Sequence, residues 1–527
     1  MYTITEHQLK TLSLDHLDSI IRSSDSNSIT EFYSIPGKEH YRLLSHLSSL
    51  FQDSIILDIG THRGSSALAL SSNPSNIVHS FDIVDNVVNN TLKHLMNIEF
   101  HHENLFDSEV QVKWKDTILK SAFIFLDIDP HDGKLELEFY HYLKNIGYQG
   151  FVVYDDIWYF KEMRDNFWYK IPEANRFDLT HLGHWSGTGV VTFNDKITFE
   201  KRDNSMWTLV TAYFNLTKCP DASVENKKRD QSYYIKHSVS TLSLPYNLVI
   251  YCDKESYELI YTIRPEEFRS KTKYIICEFD DFVLKDGSTF CEARDKITQN
   301  RVEKPYQFDN RNTASYYLVC LSRYIMLKET INANPFQSTH FSWINFCIER
   351  MGHQNLVRLD EALSVQRNKF STCYIDYIPE SLVKNTAEYF RFGRCSMCSD
   401  FFTGNSDYMY QVCDLILDQF ITYLKEGYGH ADEQLYSPVY FAHPELFEHY
   451  YGDYQEMITN YRYIYTSPEP PIYNFIGNSF NHGNYKKCLE ACEFVWNSYC
   501  LDKCVLNEDY LDKLCVYYMK CQKKLIK

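Results

Sequence analysis

Short apolar runs alternate with amphipathic stretches along the first part of the chain, between residues 55 and 193. The runs have the length of strands, whereas apolar residues spaced three and four apart are typical of helices. Predicted strands lie at 55–59, 77–82, 98–102, 122–127, 151–155 and 189–193, with predicted helices at 65–70, 87–95, 110–119 and 135–145. Two earlier apolar stripes, at 12–21 and 40–51, also predict helices. Because alternating strands and helices imply crossover connections, this region predicts an α/β domain with a mostly parallel, Rossmann-like sheet covered by helices on both faces.

A polar stretch at 194–205 (NDKITFEKRDNS) interrupts the alternation and predicts a domain boundary. A second series of apolar runs opens at Trp207 with WTLVTAYF, NLVIYCD and KYIICEFDDF, and long helical stretches follow. The chain has 527 residues, and a single hydrophobic core stops growing at about 250–300 residues. We therefore predict a domain at 1–200, a second α/β domain at 206–460 and a helical C-terminal extension at 461–527.

The first predicted strand leads through a glycine turn into a helix, in the segment IILDIGTHRGSSALAL. Asp58 ends the strand, and Gly60 and Gly64 lie in the turn, where small residues let the backbone approach a ligand. The G-x-G-x-x-G spacing of a nicotinamide site is absent, since Thr61 and His62 follow Gly60. A carboxylate before the turn repels a pyrophosphate but can pair with an ammonium group. S-adenosylmethionine carries such an ammonium group and no phosphate.

The next two predicted strands end in polar residues that suit the rest of the same cofactor. Asp82 ends the second strand, where a carboxylate accepts hydrogen bonds from ribose hydroxyls. The third strand ends in HHENLFD, so Glu103, Asn104 or Asp107 is placed to reach an adenine ring. The alternative is a doubly wound domain that uses its glycines only for packing. Carboxylates at the ends of two neighbouring strands favour the cofactor site.

The turn DIGTHRGSSAL and the upstream segment EFYSIPGKEHYRLLSHL resemble class I S-adenosylmethionine-dependent methyltransferases over residues 30–193. The resemblance is to the small-molecule and sugar O-methyltransferases within that class. It implies a Rossmann-like methyltransferase fold, with S-adenosylmethionine as the cofactor.

Acidic residues also end the fourth and fifth predicted strands, in AFIFLDIDPHDG and GFVVYDDIWYF. Asp127, Asp155 and Asp156 are expected to converge, because ligands bind at the carboxyl edge of open α/β sheets. Three carboxylates repel each other unless a cation lies between them, and oxygen ligands suit Mg²⁺ or Mn²⁺. Such an ion would lower the pKa of a substrate hydroxyl, and His131 is placed to take its proton.

Metal-dependent O-methyltransferases are similar in placing acidic ligands on these two strands. Relatives that act on catechols often have a lysine three positions after the first aspartate, where this chain has Pro130. That difference favours a sugar hydroxyl as acceptor and His131 as base. The alternative is that Asp129 and Asp132 only shape a turn and that Asp156 caps the following helix.

Several segments of the second region, in the same order, resemble a bacterial family of glycosyltransferase-like proteins from lipopolysaccharide gene clusters, the HtrL/YibB-like family. They include VTAYF near Trp207, a W-I-D-like segment that reads WIN here, and a late DEQ. The resemblance covers about 207–460 and implies a GT-A-like α/β fold. It also implies a site for a nucleotide sugar, with Thr211, Asp253 and Asn345 as its binding residues and Asp432 as a catalytic residue, in the role of base or metal ligand.

Asn345 stands where that family has an aspartate, and an amide is a poorer metal ligand than a carboxylate. The domain is therefore metal-independent, uses Asp280 or Asp281 instead, or is a non-catalytic binding module. Glu433 is a further candidate as base or metal ligand. The pair Cys395 and Cys398 is half of a zinc motif without a second half, so we interpret it as buried thiols.

Composition narrows the class of protein but not the substrate. The net charge of −17 argues against a general nucleic-acid binder, which needs a basic surface. No apolar run reaches the roughly 18–20 residues of a membrane span, and the 16 cysteines are expected to be reduced thiols in a cytoplasm. The sequence thus predicts a cytoplasmic enzyme of glycan assembly that methylates a sugar hydroxyl and transfers a sugar. The alternative is a methyltransferase whose C-terminal half only binds or oligomerises.

Overall fold

A computed structural model describes all of the chain except residues 1, 3, 15, 18–36, 88, 89, 181, 185, 200–203, 306–311, 352–358, 360, 361, 364–366, 431, 466–470, 502 and 527. The helix predicted at 12–21 lies partly outside these described residues. The chain divides into two units, Met1–Arg202 and Asp203–Lys527, at the polar stretch that separates the two series of strands.

The first unit is built on a seven-stranded sheet whose order is β3-β2-β1-β4-β5-β7-β6. Its strands are β1 (Ile55–Ile59), β2 (Ile77–Asp82), β3 (Ile98–His102), β4 (Ser121–Leu126), β5 (Phe151–Tyr154), β6 (Arg176–Asp178) and β7 (Gly189–Thr192). The first five strands are parallel, while β7 runs antiparallel to β5 and β6. This is the predicted Rossmann-like methyltransferase sheet, and only the three-residue β6 was absent from the prediction.

Helices cover both faces of this sheet, because successive strand residues point to opposite sides. Their bounds are Glu6–Thr11, Gly37–Ser49, Ser65–Leu70, Asn90–Lys93, Ser108–Lys120, Lys134–Ile146 and Lys161–Asn166. Ile56 of β1 packs in the same core as Leu44 and Leu68, from the helices before and after that strand. The next residue, Leu57, packs on the other face with Ile118 and Phe139. The continuous apolar runs of the strands are therefore explained by burial on both sides.

The second unit also contains a seven-stranded sheet, with the order β10-β9-β8-β11-β13-β12-β14. Its strands are β8 (Trp207–Tyr213), β9 (Asn247–Cys252), β10 (Thr272–Ile276), β11 (His340–Ile344), β12 (Phe370–Tyr374), β13 (Met397–Asn405) and β14 (Phe447–Tyr451). Strands β8 to β11 are parallel, and β13 is inserted antiparallel between β11 and β12. This mixed sheet confirms the predicted second α/β domain of GT-A-like class.

Helices surround the second sheet as well. Their bounds are Val224–Lys228, Gln231–Lys236, Val239–Leu242, Lys254–Ile263, Phe290–Glu303, Ala314–Ala333, Glu380–Lys384, Thr386–Phe392, Ser406–Lys425, Tyr436–Ala442, Gly477–Asn481, Tyr485–Cys500 and Glu508–Leu525. The last two helices place Cys488, Cys492 and Cys521 in the same core as Leu321 and Ile416. The C-terminal residues therefore complete the core of this unit. Among the described helices, none is long and apolar enough to cross a membrane.

Candidate functional site

The glycine turn after β1 joins the ends of three strands. Gly60 has a φ of +101°, and a Cβ atom there would lie 1.6 Å from the carbonyl oxygen of Asp127, so only glycine fits. The backbone N–H groups of Gly60 and Thr61 both donate to the carbonyl of Phe81, at 2.9 and 3.2 Å. The turn therefore holds the carboxyl ends of β1, β2 and β4 together.

Asp82 presents a carboxylate that backbone groups hold in place. The N–H of His62 donates to its Oδ2 at 2.7 Å, and the N–H of Val84 donates to its Oδ1 at 2.9 Å. Each carboxylate oxygen has a second lone pair. Asp82 can therefore accept two more hydrogen bonds without moving, as two neighbouring hydroxyl groups would require.

Asp58 lies fully buried at the end of β1. Its Oδ2 accepts a hydrogen bond from the Ser80 hydroxyl at 2.5 Å, and that hydroxyl lies 2.6 Å from the hydroxyl of Thr61. Its Oδ1 is buried without a hydrogen-bond partner among the described residues. Burial raises the pKa of Asp58 from 3.8 to about 6, although the hydroxyl of Ser80 opposes the shift. A buried carboxylate with one unused oxygen suits a cationic group on a ligand.

Two other predicted cofactor residues have local structural roles. Gly64 begins the helix Ser65–Leu70 with a φ of +91°, and a Cβ atom there would lie 2.5 Å from the Leu92 side chain. The amide of Asn104 donates to Asp107 at 3.0 Å and accepts from the N–H of Phe106 at 3.1 Å. Asn104 therefore shapes its own loop, and the adenine contact predicted for it stays a prediction.

A cleft of about 460 Å³ opens at this edge of the sheet. Its volume lies within the range of about 300–1,000 Å³ that is typical of small-molecule sites. The cleft is lined by Gly60, Phe81, Asp82, Glu103, Asn104, Asp127 and His131, among other residues. Of the predicted cofactor residues, Gly60, Asp82 and Asn104 thus share one cleft with residues that follow β4, whereas Asp58 and Gly64 do not line it.

Three carboxylates meet where β4 and β5 end. Burial, followed by the charges of Asp155 and Asp156, raises the pKa of Asp127 well above its usual range. Burial and the charge of Asp155 also raise the pKa of Asp156. Burial alone would raise the pKa of Asp155, but the imidazoles of His40 and His184 outweigh it and hold this pKa below its usual range. The convergence of the three acids agrees with the sequence-based expectation.

His131 lies against these carboxylates. Its Nδ1 is 3.2 Å from Asp156 Oδ2 and 4.0 Å from Asp127 Oδ1, and its Nε2 is 3.3 Å from Asp129 Oδ1. The ring stacks on Phe160 with centroids 5.0 Å apart. His131 and Asp156 have positive φ angles of 53° and 60°. Non-glycine residues are seldom held in this region, and they cluster at functional sites.

The sequence analysis did not identify His184 and His40, which complete the cluster. His184 Nδ1 lies 3.4 Å from Asp155 Oδ2, and Ser186 donates to the other oxygen of Asp155 at 3.3 Å. The buried ring of His40 packs 5.3 Å from that of His184. His184 lies here because β7 runs antiparallel to β5. Residues that precede β7 therefore lie at the same edge of the sheet as the carboxyl end of β5, which the sequence pattern did not indicate.

The cluster offers two overlapping sets of metal ligands. Asp127, His131 and Asp156 form one set, and Asp155, Asp156 and His184 form the other, with the ligand atoms of each set within 4.8 Å of one another. Carboxylate oxygens predominate, as Mg²⁺ and Mn²⁺ prefer. The raised pKa values of Asp127 and Asp156 show the repulsion that a cation would relieve. Asp132, in contrast, accepts a hydrogen bond from the N–H of Lys134 at 3.0 Å and shapes the turn before the helix.

In the second unit, Asn345 follows β11 and pairs with a residue of the antiparallel strand β13. Its side-chain amide donates to Asp400 Oδ1 at 2.7 Å, and its backbone N–H donates to the carbonyl of Asp400 at 2.8 Å. The side-chain oxygen of Asn345 accepts from the N–H of Cys347 at 2.8 Å. Both ends of the amide are therefore used, and Asp400 supplies a carboxylate that the sequence analysis did not identify.

Arg323, on the long helix Ala314–Ala333, provides a buried positive charge beside Asp400. Its guanidinium lies 3.7 Å from Asp400 Oδ1 and 3.9 Å from Asp432 Oδ2, and the Arg323 side chain is only 6% exposed. Burial raises the pKa of Asp432, while Arg323 lowers it. Asp432 Oδ2 is buried without a hydrogen bond among the described residues. Arg323 thus places a positive charge beside both acids.

Glu433 joins the same group of acids. Its Oε1 accepts from the N–H of Ser399 at 3.3 Å, and its Oε2 accepts from the hydroxyl of Tyr454 at 2.6 Å. Burial and the charge of Asp432 raise the pKa of Glu433 well above its usual range. Because both oxygens already have partners, Asp432 is the less constrained of the two acids.

The other predicted residues of the second unit, Thr211 and Asp253, belong to β8 and to the end of β9. Thr211 is fully buried within β8. Asp253 caps the helix Lys254–Ile263 by accepting from the N–H of Ser256 at 2.8 Å, and its other oxygen accepts from the N–H of Asn215 at 3.0 Å. Asp253 follows β9, which is separated from β11 by β8, so Asp253 and Asn345 lie about two strand spacings, or about 10 Å, apart across the sheet.

The two acids proposed as substitutes for Asn345 have their own partners. Asp280 forms an ion pair with Arg294. Asp281 accepts a hydrogen bond from the N–H of Glu278 at 3.4 Å. Both carboxylates stabilise the short helical turn Phe279–Asp281 and its surroundings.

Comparisons with solved structures find methyltransferases and a glycosyltransferase. An RNA methyltransferase from Salinibacter ruber in complex with S-adenosyl-L-homocysteine is 15% identical, with 31% of this chain and 95% of that chain covered and a TM-score of 0.21. A SAM-dependent methyltransferase from Aquifex aeolicus is 18% identical, with 33% of this chain and 95% of that chain covered and a TM-score of 0.21. Mouse xyloside xylosyltransferase 1 in its apo form is 11% identical, with 46% of this chain and 84% of that chain covered and a TM-score of 0.25.

No curated protein matches the chain. The family comparison, in contrast, gives a match that begins within two residues of β8 and extends beyond β14. The segment 205–463, which holds the whole second sheet, matches the sequence model of HtrL_YibB, a family described as bacterial proteins of unknown function.

Proposed function

We propose that the first unit transfers a methyl group from S-adenosylmethionine to a sugar hydroxyl. The observation that carries this proposal is the single cleft of about 460 Å³ that contains both Asp82 and the pair Asp127 and His131. One half of the cleft has a fixed acceptor for hydroxyl groups, and the other half has acids and a base. Methyl transfer needs these two functions side by side.

Two carboxylates fit the cofactor. Asp82, which lines the cleft, has two lone pairs available for the ribose hydroxyls. Asp58 is fully buried at the end of β1 and does not line the cleft, so its unused Oδ1 would reach the ammonium group only after a movement of the glycine turn. Bound S-adenosylmethionine supplies an electrophilic methyl group. Asp127, Asp155 and Asp156 would hold a divalent cation, which lowers the pKa of the acceptor hydroxyl. His131, which lies against Asp156, would receive the proton on the ring nitrogen that carries none.

Cofactor binding is the direct test of this proposal. Calorimetry should show that Asp82→Ala weakens S-adenosylmethionine binding by about 1–3 kcal/mol, because hydrogen bonds to a charged acceptor are lost. Asp85→Ala is the matched control, since the exposed Asp85 forms an ion pair with Lys93 and lies on the same loop. Binding of NAD together with no affinity for S-adenosylmethionine would contradict the proposal.

For the second unit, the function that its site supports best is glycosyl transfer from a nucleotide sugar. Asp432 would act as the base that activates an acceptor hydroxyl, because its Oδ2 is buried and has no hydrogen bond among the described residues. Arg323 would keep that carboxylate ionised and would balance negative charge at the diphosphate. The whole chain would then be a bifunctional enzyme of glycan assembly in a cytoplasm, acting on a glycan rather than a nucleic acid.

Thermal stability of the full chain tests the second activity. A ligand that favours the folded state raises its stability, so one UDP-, GDP- or dTDP-sugar should raise the Tm. Asp432→Asn should retain that shift but lose transfer to the acceptor. If no donor changes the Tm, with or without Mn²⁺, the second unit is a binding or oligomerisation module, and the chain is a single methyltransferase.

A further inference from the structure

A second group of metal-ligating side chains lies on β2 and β3, outside the acidic cluster. In the parallel register of these strands, His79 is opposite Glu99, and Phe81 is opposite His101. Side chains two residues apart on a strand share a face of the sheet. His79, Glu99 and His101 are therefore brought together by strand pairing alone.

The three ligand atoms form a compact triangle. His79 Nδ1 lies 3.0 Å from His101 Nε2 and 3.3 Å from Glu99 Oε2, and His101 Nε2 lies 3.9 Å from the same Glu99 oxygen. Two ligands bound at about 2.1 Å to a tetrahedral ion are separated by about 3.4 Å. The three sides of the triangle bracket this value, so an ion can be bound with small movements of the side chains.

Aromatic packing holds both imidazole rings in position. The ring of His101 stacks on Phe81, with centroids 4.7 Å apart, and lies 4.5 Å from Trp114. The ring of His79 lies 5.4 Å from Trp114, whose indole N–H donates to Glu103 at 3.2 Å. These contacts orient the nitrogens before any ion is present, which reduces the entropy lost on binding.

Exposure and protonation also suit a metal. The side chains of His79 and His101 are 12% and 15% exposed, whereas that of Glu99 is 57% exposed, so an ion can enter from the Glu99 side. Burial lowers the pKa of both histidines, which favours the neutral imidazole that binds metals. In the contact between the two rings one nitrogen must donate, but a neutral imidazole can carry its proton on its other nitrogen.

We propose that His79, Glu99 and His101 form a zinc site, with water as the fourth ligand, that joins β2 to β3. Two imidazoles and one carboxylate are a ligand set that Zn²⁺ takes in proteins, whereas the oxygen-rich cluster around Asp156 suits Mg²⁺ or Mn²⁺. Phe81 lies between the zinc site and the cleft, because it packs on His101 and also lines the cleft. The zinc ion would stabilise the edge of the sheet that carries Asp82. This proposal does not depend on either proposed activity.

The test is a titration of the full, chelator-treated chain with Zn²⁺ by calorimetry and with Co²⁺ by visible absorption. The wild-type chain should show the intense absorption of one tetrahedral Co²⁺ complex, and Zn²⁺ should displace this Co²⁺ and raise the Tm. His101→Gln and Glu99→Gln should each weaken Zn²⁺ binding at least about tenfold, since even loss of an outer partner of a ligand costs 10–100-fold. Glu99→Gln is the safer variant, because Glu99 is mostly exposed.

Two controls separate this site from the rest of the chain. His94→Gln removes an exposed histidine and should leave Zn²⁺ affinity unchanged. Asp155→Asn alters the acidic cluster and should retain the tetrahedral Co²⁺ spectrum. Wild-type Zn²⁺ affinity in both His101→Gln and Glu99→Gln would overturn the proposal, as would loss of the Co²⁺ spectrum in Asp155→Asn alone. Absence of Zn²⁺ binding to the wild-type chain would show that the two histidines are only a hydrogen-bonded pair.

Discussion

Both units gather three acids near the end of a central sheet strand, but they balance the negative charge in different ways. In the first unit, Asp127, Asp155 and Asp156 face imidazoles and an open cleft. In the second unit, Asp400 and Asp432 flank the guanidinium of Arg323. An arginine remains charged at any pH of interest, whereas a histidine carries a full charge only when protonated. We therefore expect the first site to take up a cation from solution, whereas the second already contains a positive charge.

This difference shows that similar acidic motifs can belong to different kinds of site. A guanidinium between two carboxylates fills the space between them and neutralises the negative charge that would attract a metal ion. The amide of Asn345, hydrogen-bonded to Asp400, fits the same arrangement, because a further carboxylate there would add repulsion. We expect the methyl transfer to depend on a divalent ion and the glycosyl transfer to proceed without one.

The largest expected effect is on methyl transfer when the cation or base is removed. Chelation should abolish turnover and added Mg²⁺ or Mn²⁺ should restore it, while Asp155→Asn should lower kcat without a comparable loss of S-adenosylmethionine binding. His131→Ala should reduce kcat by about 10²–10⁴-fold, as for loss of a general base. Steady-state kinetics with a sugar acceptor would measure both. His94→Gln is the control, because it removes an exposed histidine outside both proposed metal sites. Full activity in the chelator would remove the metal from the mechanism.

Removal of Arg323 should cause the largest loss of stability. Arg323→Met leaves two buried carboxylates without their countercharge, and breaking a buried pair in this way costs about 3–5 kcal/mol. Calorimetry should show a lower unfolding temperature for the second unit, with S-adenosylmethionine binding by the first unit retained. Arg323→Lys keeps the charge and should be milder. Arg391→Met, at a largely exposed surface pair with Glu388, is the matched control and should change little. Unchanged stability in Arg323→Met would contradict the conclusion that Arg323 balances the charges of Asp400 and Asp432.

The pH dependence of folding stability tests the state of Asp58, because this buried acid has only hydroxyl groups as side-chain hydrogen-bond partners among the described residues. Its pKa is raised from 3.8 to about 6 in the folded state, so the folded protein binds the proton more tightly than the unfolded chain does. Stability from this group is present below about pH 4 and is lost as the pH rises to about 6, by up to about 3 kcal/mol. Urea unfolding between pH 4 and pH 7 should show this decline, and Asp58→Asn should lack it.

The same carboxylate should couple cofactor binding to pH. If the ammonium group of S-adenosylmethionine pairs with Asp58, binding should tighten as the pH rises from 5 to 7, because the ionised form is the one that pairs. Calorimetry at several pH values in this interval would detect the change. Affinity that is independent of pH in the wild-type chain would indicate that Asp58 does not contact the ammonium group.

The smallest expected effect is that of Asn345→Asp. The substitution replaces an amide donor by a carboxylate at 2.7 Å from Asp400 Oδ1, so it should destabilise the second unit by about 1–3 kcal/mol. Mn²⁺ should recover part of that loss by binding between the two acids. Thermal unfolding with and without Mn²⁺ measures both changes. Asn385→Asp is a control at an exposed helix cap, where an aspartate serves equally well. Equal responses of the two variants to Mn²⁺ would contradict the charge balance proposed here.

The sequence by itself determined the strands of the first unit and the acids at their ends. The pattern of apolar residues predicted β1, β2 and β3 with the bounds that the structure has, because each is a short apolar or alternating run limited by turn residues. Asp58 and Asp82 were identifiable for the same reason, since they lie at the ends of those runs. Local spacing carries this information without knowledge of distant contacts.

Only the tertiary structure decided which distant residues share a site. His184 reaches Asp155 because β7 turns back antiparallel to β5, and Arg323 reaches Asp400 and Asp432 because a long helix packs against the sheet. No local pattern distinguishes that arginine from a surface arginine. The predicted set Thr211, Asp253 and Asn345 illustrates the same limit: each lies in or after a strand of the same sheet, yet Asp253 caps a helix while Asn345 pairs with Asp400. Strand pairing and helix packing determine such contacts, because they bring together residues that are far apart along the chain.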